Sequence, residues 1–230
     1  MPDTRYVVLD TETTGLSPEN GDRVIEIACL ELDQGLFPTD KSFHTFVNPE
    51  RSISRAAFEV HGISDEFVKN SPLFSSIAKD LWHFIGNAKL IIHNAEFDIR
   101  FLNAEFARLN HPMLRIDQTI DTLKMARKKY PSMPNNLDSL CKRFNISLED
   151  REKHSALIDV RLLASVYIEL TQGGRQQSFL QTNDAQTVMA GHQNIKRKQC
   201  QVRHINHQQD LEEQHKNFIL QNFKKNGWGY

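Results

Sequence analysis

The segment Tyr6–Gly15, YVVLDTETTG, limits what this chain can fold into more than any other stretch. Tyr6, Val7, Val8 and Leu9 form a continuous apolar run, which suits a strand buried on both faces, and Thr14 and Gly15 supply the turn that ends it. The strand therefore finishes in acid. Side chains alternate along a strand, so Asp10 and Glu12 point to the same side, where two carboxylates repel unless a cation sits between them. Hard divalent cations such as Mg²⁺ take oxygen ligands of this kind. A strand that merely leaves the core and turns polar would read the same way in this segment alone, so the rest of the chain has to decide.

Two further strands, Arg23 to Leu32 and Lys41 to Val47, are rich in branched and aromatic residues and form a meander with the first. Ser54 is placed to cap a short helix through Glu59, and the loop Val60 to Ser64 follows, with Gly62 permitting a sharp bend. Ser71-Pro72 opens a helix to about Gly86 with Leu73, Ile77 and Leu81 on one face, and Lys89 to Ile92 makes a fourth, buried strand. That strand runs into His93-Asn94-Ala95-Glu96-Phe97-Asp98, which puts Asp98 in the first turn of a helix. Open α/β sheets place ligands there, although a helix cap occupies the same position. A short strand is expected at Leu114 to Asp117, then helices over Thr119 to Lys129, Asn136 to Phe144 and Glu152 to Leu170, the last ending at Gly173-Gly174. His154 and Asp159 are five positions apart and do not share a helix face, so they converge only if His154 precedes the helix proper.

Three motifs stand in order along this frame: D-x-E at Asp10 and Glu12, HNAxFD at His93 to Asp98, and H-x-A-x-x-D at His154 to Asp159. Together they resemble the DnaQ-like (DEDDh) 3′–5′ exonucleases of the ribonuclease H-like fold, an α/β fold with a mixed central sheet flanked by helices. VHGIS at Val60 to Ser64, DTLKMARKKYP at Asp121 to Pro131 and NNLDSLCKRFNI at Asn135 to Ile146 resemble the branch of that family that proofreads for bacterial replicative polymerases. The resemblance implies two divalent metal ions, Mg²⁺ or Mn²⁺, held by Asp10, Glu12, Asp98 and Asp159, with Asp10 bridging and Asp98 acting directly or through a bound water. It also implies that His154 is the general base, a role suited to a side chain that ordinarily titrates near neutrality. Hydroxyl and backbone groups of Thr13 and Gly15 would grip the terminal nucleotide, with His61, Asn94 and Phe97 walling its pocket, although Phe97 suits the core equally well. Asp121 is read as a helix cap or a support to the site and stays outside the metal set, and Glu96 has no evident use.

The chain has 230 residues and a formal net charge of -1, so bulk charge does not draw it to nucleic acid and local features must. The longest apolar runs are a few residues, which predicts neither a membrane span nor a secretory signal and leaves the cytoplasm as the expected compartment. Cys29, Cys141 and Cys200 are widely spaced, which argues against a zinc site or a disulfide framework. Residues 1–175 are expected to form the catalytic domain and 176–209, rich in Gln, Asn and His, a flexible linker. Within that linker Gln176, Ser178, Phe179 and Leu180 resemble a sliding-clamp-binding pentapeptide. Residues 210–230 regain helical periodicity through Leu211, Phe218, Ile219 and Phe223, followed by Trp228, and the resemblance implies that they bind the polymerase catalytic (alpha) subunit. A free-standing DNA or RNA 3′ exonuclease of the same family is the alternative, and a non-catalytic polymerase-stabilising subunit is the alternative from another class. The complete acidic set argues against the latter.

Overall fold

Strand β1 (Tyr6–Thr13) is the middle of five strands. On one side it pairs antiparallel with β2 (Val24–Leu32), which pairs antiparallel with β3 (Pro38–Phe46). On the other it runs parallel to β4 (Lys89–Ile92), and β4 runs parallel to β5 (Thr119–Asp121). The helices are α1 (Arg55–His61), α2 (Asp65–Val68), α3 (Phe74–Ile85), α4 (Ala95–Arg108), α5 (Thr122–Lys129), α6 (Leu137–Arg143) and α7 (Ala156–Gln181). The computed structural model describes residues 4–148 and 153–181, of which 172–181 are described as backbone only. Residues 182–230, which include most of the expected linker, Cys200, and Leu211, Phe218, Ile219, Phe223 and Trp228, expected to bind the polymerase, lie outside the described residues.

The alternation of the strands sorts the core into two layers. Val7, Leu9, Ile27, Cys29, Leu90 and Ile92 face α3 and α4, packing with Leu81, Ile85, Phe101, Leu102 and Phe106. Val8, Ala28, Leu30 and Ile91 face α6 and α7, packing with Leu140, Val160, Leu163 and Ala164. Most of these side chains are fully buried, each worth about 1.5–3 kcal/mol where it is a large aliphatic or aromatic. Asp10 and Glu12 continue the register of Val8, so the fold directs them toward the α7 layer; Thr11 continues the register of Leu9, toward the α4 layer. Cys29 and Cys141 are both buried free thiols. Among the described residues no helix is long and apolar enough to cross a membrane.

The structure moves several expected boundaries, among them the start of the last helix, which is Ala156 rather than Glu152. The last strand is Thr119–Asp121 rather than Leu114 to Asp117, which instead leads into a 3₁₀ turn at Ile116–Gln118. The backbone of Leu114 is satisfied by the Asn103 side chain, whose Nδ2 donates to the Leu114 carbonyl (3.0 Å) while Oδ1 accepts from its N–H (2.7 Å), so it needs no ladder. Helix α5 accordingly starts at Thr122, with Asp121 as its N-cap accepting from Lys124 N at 3.1 Å. At the other end, α7 does not stop at Gly173-Gly174 but runs on to Gln181. Two interior glycines cost about 2 kcal/mol in total, and α7 absorbs that because it is a long helix elongating from a packed first half. Gln176, Ser178, Phe179 and Leu180 thus lie on a helical segment rather than in a linker.

Candidate active site

The site arises because β1 outruns its parallel neighbour. Pairing with β4 is recorded only as far as Val8 opposite Ile91, and β4 ends at Ile92, while β2 accompanies β1 through Glu12 opposite Glu26. The open side of Asp10 to Thr13 is filled by the first turn of α4. Asn94 turns the chain there in a left-handed conformation (φ 70°), and Asp98, 3 % exposed, arrives with its Oδ1 accepting from Thr11 Oγ1 at 2.7 Å. Burial pushes the Asp98 carboxyl up from 3.8 to about 7, against the lowering effect of the Thr11 hydroxyl and nearby backbone N–H groups. Asp10 is also raised well above the usual range. Burial contributes most, followed by the charges of Asp98, Glu12, Asp159 and Glu26 in turn. Carboxylates that make each other hard to ionise, with no cationic side chain among those influences, are an arrangement that a cation relieves.

The first turn of α7 brings the third motif to the same place. His154 precedes the helix, as convergence with Asp159 requires, and its Nδ1 lies 3.3 Å from Asp159 Oδ2; His154 is 46 % exposed at the side chain and Asp159 is buried. One ligand atom each from Glu12, His154 and Asp159 lie within 4.8 Å of one another. The donors are hard oxygens and one imidazole, a set that fits a divalent cation of the Mg²⁺ or Mn²⁺ kind and offers no thiolate for a softer one.

Two clefts border these residues. The first, about 300 Å³, is lined by Glu12, Thr13, Gly15, Leu16, Val60, His61 and Phe97 among others. His61 Nδ1 accepts from Ile63 N at 3.0 Å, so Nε2 carries the ring hydrogen, and this buried Nε2 makes no well-aligned hydrogen bond among the described residues. Burial holds the His61 pKa down, keeping the ring neutral, with the Thr13 backbone opposing that shift. Thr13 Oγ1 donates to the Gly15 carbonyl at 2.6 Å, so its hydroxyl shapes the turn. Gly15 is required by a close approach: a Cβ there would fall 2.4 Å from Asp22 Oδ2, and the Asp22 carboxylate accepts from Ser17 N and Thr14 Oγ1 to hold this loop. Asn94, expected on the same wall, instead lines a second cleft of about 630 Å³ with His93, Arg127, Met133, Asn135 and Asn136. Leu123 and Arg127 of α5 line that cleft with it.

Two contributors escaped the sequence reading. Thr11 lies between the two motif acids and holds Asp98. Glu26, wholly buried in β2, accepts from Ala156 N at 3.1 Å through Oε2, while Oε1 accepts from Ser155 Oγ at 3.1 Å and lies 2.8 Å from His44 Nε2. The signal for Glu26 was an acid inside the apolar run VIEIACLEL.

Comparison with known proteins bears on the family and the fold. Residues 7–167 match the exonuclease family RNase_T. The DNA polymerase III subunit epsilon of Rickettsia felis is 49% identical over 182 residues, covering 78% of this chain and 79% of that protein. The protein of the same name from Escherichia coli K12 is 38% identical over 190 residues, covering 80% and 78%. Among solved structures, the nuclease domain of 3'hExo, a DEDDh family member bound to rAMP, superposes with a TM-score of 0.63 at 18% identity, covering 75% of this chain and 94% of that one. Exonuclease X in complex with 5' overhanging duplex DNA superposes with a TM-score of 0.58 at 24% identity, covering 74% and 93%. With the family match spanning most of the chain and relatives of this identity matched over more than three quarters of their length, the chain belongs to the RNase_T exonuclease family.

Proposed function

We propose that the protein is a metal-dependent 3′–5′ DNA exonuclease that releases nucleoside monophosphates and serves as the proofreading subunit of a bacterial replicative polymerase. The observation that carries the chemistry is the meeting of Glu12, His154 and Asp159 within 4.8 Å, beside an Asp10 whose ionisation is opposed by burial first and then by Asp98, Glu12 and Asp159. Two divalent ions, Mg²⁺ or Mn²⁺, held by Asp10, Glu12, Asp98 and Asp159 would supply neutralisation of the phosphoryl charge, acidification of the attacking water and stabilisation of the leaving 3′ oxygen. The chain's own residues do the rest. His154 takes the proton of that water, with Asp159 beside its Nδ1 to orient the ring. The first cleft receives the terminal nucleotide, with the Phe97 ring available for stacking and His61 Nε2 as an uncharged donor. Such a pocket takes one strand, so a frayed, mispaired end enters it more readily than a paired one.

The proofreading assignment is supported by relatives named DNA polymerase III subunit epsilon at 38% and 49% identity that the chain matches over more than three quarters of their length. In this reading residues 210–230 dock on the polymerase catalytic subunit through Leu211, Phe218, Ile219, Phe223 and Trp228, and Gln176, Ser178, Phe179 and Leu180 contact the sliding clamp. The test is degradation of 5′-labelled primers, matched or mismatched at the 3′ terminus, with Mg²⁺ or Mn²⁺. Stepwise shortening from the 3′ end that is faster on the mismatched primer is expected. Shortening from the 5′ end, or none with either metal, contradicts the reading.

A further inference from the structure

We infer that Glu26, which lies outside the motif set, is a positioning residue that holds the His154 imidazole at its working distance from Glu12. The inference rests on the nuclease reading and adds to it the part of the fold that sets the geometry of the base. Glu26 and Glu12 are direct cross-strand partners of β2 and β1, so both side chains rise from one rung on the α7 side. Opposite residues in an antiparallel pair stand about 4.5–5.5 Å apart, a spacing that the sheet holds more rigidly than any loop can. From that rung Glu12 enters the site, and Glu26 reaches the start of α7.

The contacts of Glu26 are those of a cap supplied from another element. Ala156 is the first residue of α7, and its N–H is one of the donors that a helix leaves unpaired. Glu26 Oε2 accepts it at 3.1 Å, and Oε1 accepts from Ser155 Oγ at 3.1 Å. The carbonyl of Ser155 in turn accepts from Asp159 N at 2.9 Å, closing the first turn. His44 Nε2, 2.8 Å from Oε1, holds the carboxylate from β3, and a negative group suits the positive end of the helix. His154 is the residue immediately before this clamp. Its other backbone tie, His154 N to the Val60 carbonyl at 3.4 Å, is long, and Lys153 lies over the Phe58 ring at 5.3 Å. The two hydrogen bonds from Ser155 and Ala156 to a fully buried carboxylate tie the segment that carries the base directly to the sheet. A glutamine keeps one oxygen for these three donors, so Ser155 Oγ or His44 Nε2 would have to turn into an acceptor for its amide nitrogen.

The test compares steady-state hydrolysis of a single-stranded oligonucleotide by the full chain and by Glu26→Gln, with Mn²⁺ affinity and thermal midpoint measured on the same samples. We expect Glu26→Gln to fold, to keep KM and Mn²⁺ affinity within about twofold, and to lower kcat about 10- to 100-fold, the loss that a misplacement near 1 Å brings. In a His154→Ala background the same substitution should cost less than about twofold, since no imidazole remains to be misplaced. A folded Glu26→Gln with wild-type kcat, or a loss repeated in full in the His154→Ala background, overturns the inference. Should Glu26→Gln fail to fold, Ser155→Ala reads the same contact: kcat about 3- to 10-fold lower at unchanged KM supports it, and wild-type kcat overturns it. Absence of hydrolysis by the unaltered protein would refute the nuclease reading itself.

Discussion

Replacing Asp98 by Asn should make the metal-free protein more stable and the enzyme inactive. Asp98 is buried in the first turn of α4, its Oδ1 accepts from Thr11 Oγ1 at 2.7 Å, and an asparagine oxygen can keep that bond. What the substitution removes is a charge that the site opposes. With the carboxyl raised from 3.8 to about 7, ionising it at pH 8 costs the folded state up to roughly 4 kcal/mol. The new amide hydrogens need acceptors, which returns part of that gain, so a net stabilisation of about 1–3 kcal/mol is expected in EDTA at pH 8. For a domain of this size that raises the thermal midpoint by several degrees, at about 2–4 °C per kcal/mol. The sign with pH follows from where each state releases its proton. The unfolded chain loses it near 3.8 and the folded protein near 7, so the folded state carries the extra proton between those values and wild-type stability falls as pH rises through that window. The advantage of Asp98→Asn should therefore open between about pH 4 and pH 7 and stay level above. Adding Mn²⁺ at pH 8 should raise the wild-type midpoint and move the variant much less, while kcat falls by at least about 100-fold. A variant less stable than wild type in EDTA at pH 8, or an advantage that does not change with pH, refutes this reasoning.

His154→Ala should fold normally and bind DNA, with kcat about 10²- to 10⁴-fold lower in a primer-degradation assay, and unchanged turnover with excess metal would remove His154 from the mechanism. Gly15→Ala drives a methyl group against the Asp22 carboxylate that holds the turn, which should cost about 1–3 kcal/mol by urea titration and raise KM for the oligonucleotide. A chain ending after Leu180 should keep its nuclease rate on single strands and lose capture by the polymerase catalytic subunit in a pull-down. Changing Gln176 and Leu180 together to Ala should lower sliding-clamp binding measured by surface plasmon resonance and leave the nuclease rate alone.

What the sequence shows of this site is what depends on local periodicity. The period of two along YVVLDTET puts Asp10 and Glu12 on one face, and in the folded protein they continue the register of Val8 toward α7. The five-residue spacing of His154 and Asp159 requires a non-helical His154, and α7 starts two residues after it. Asp121 caps α5, as its place before the helical run suggests. What stays hidden depends on partners distant in sequence. Leu114 looked like a strand residue because its backbone partner, the Asn103 side chain, sits on a different element. Glu26 has partners 129 and 130 positions away, and Thr11 has one 87 away, so neither role is visible from neighbours. Asn94 lines the second cleft rather than the one beside His61 and Phe97, and its positive φ cannot be read from the motif. The glycine pair in α7 marked a break by composition, yet the helix continues through it.

The most direct test of the central claim is anomalous diffraction from crystals soaked with Mn²⁺ and a nucleoside 5′-monophosphate. The account predicts two manganese peaks about 4 Å apart at the end of β1, bounded by Asp10, Glu12, Asp98 and Asp159, with the nucleotide in the cleft beside Phe97 and His61. Manganese bound elsewhere, or a nucleotide seated away from those carboxylates, would contradict it.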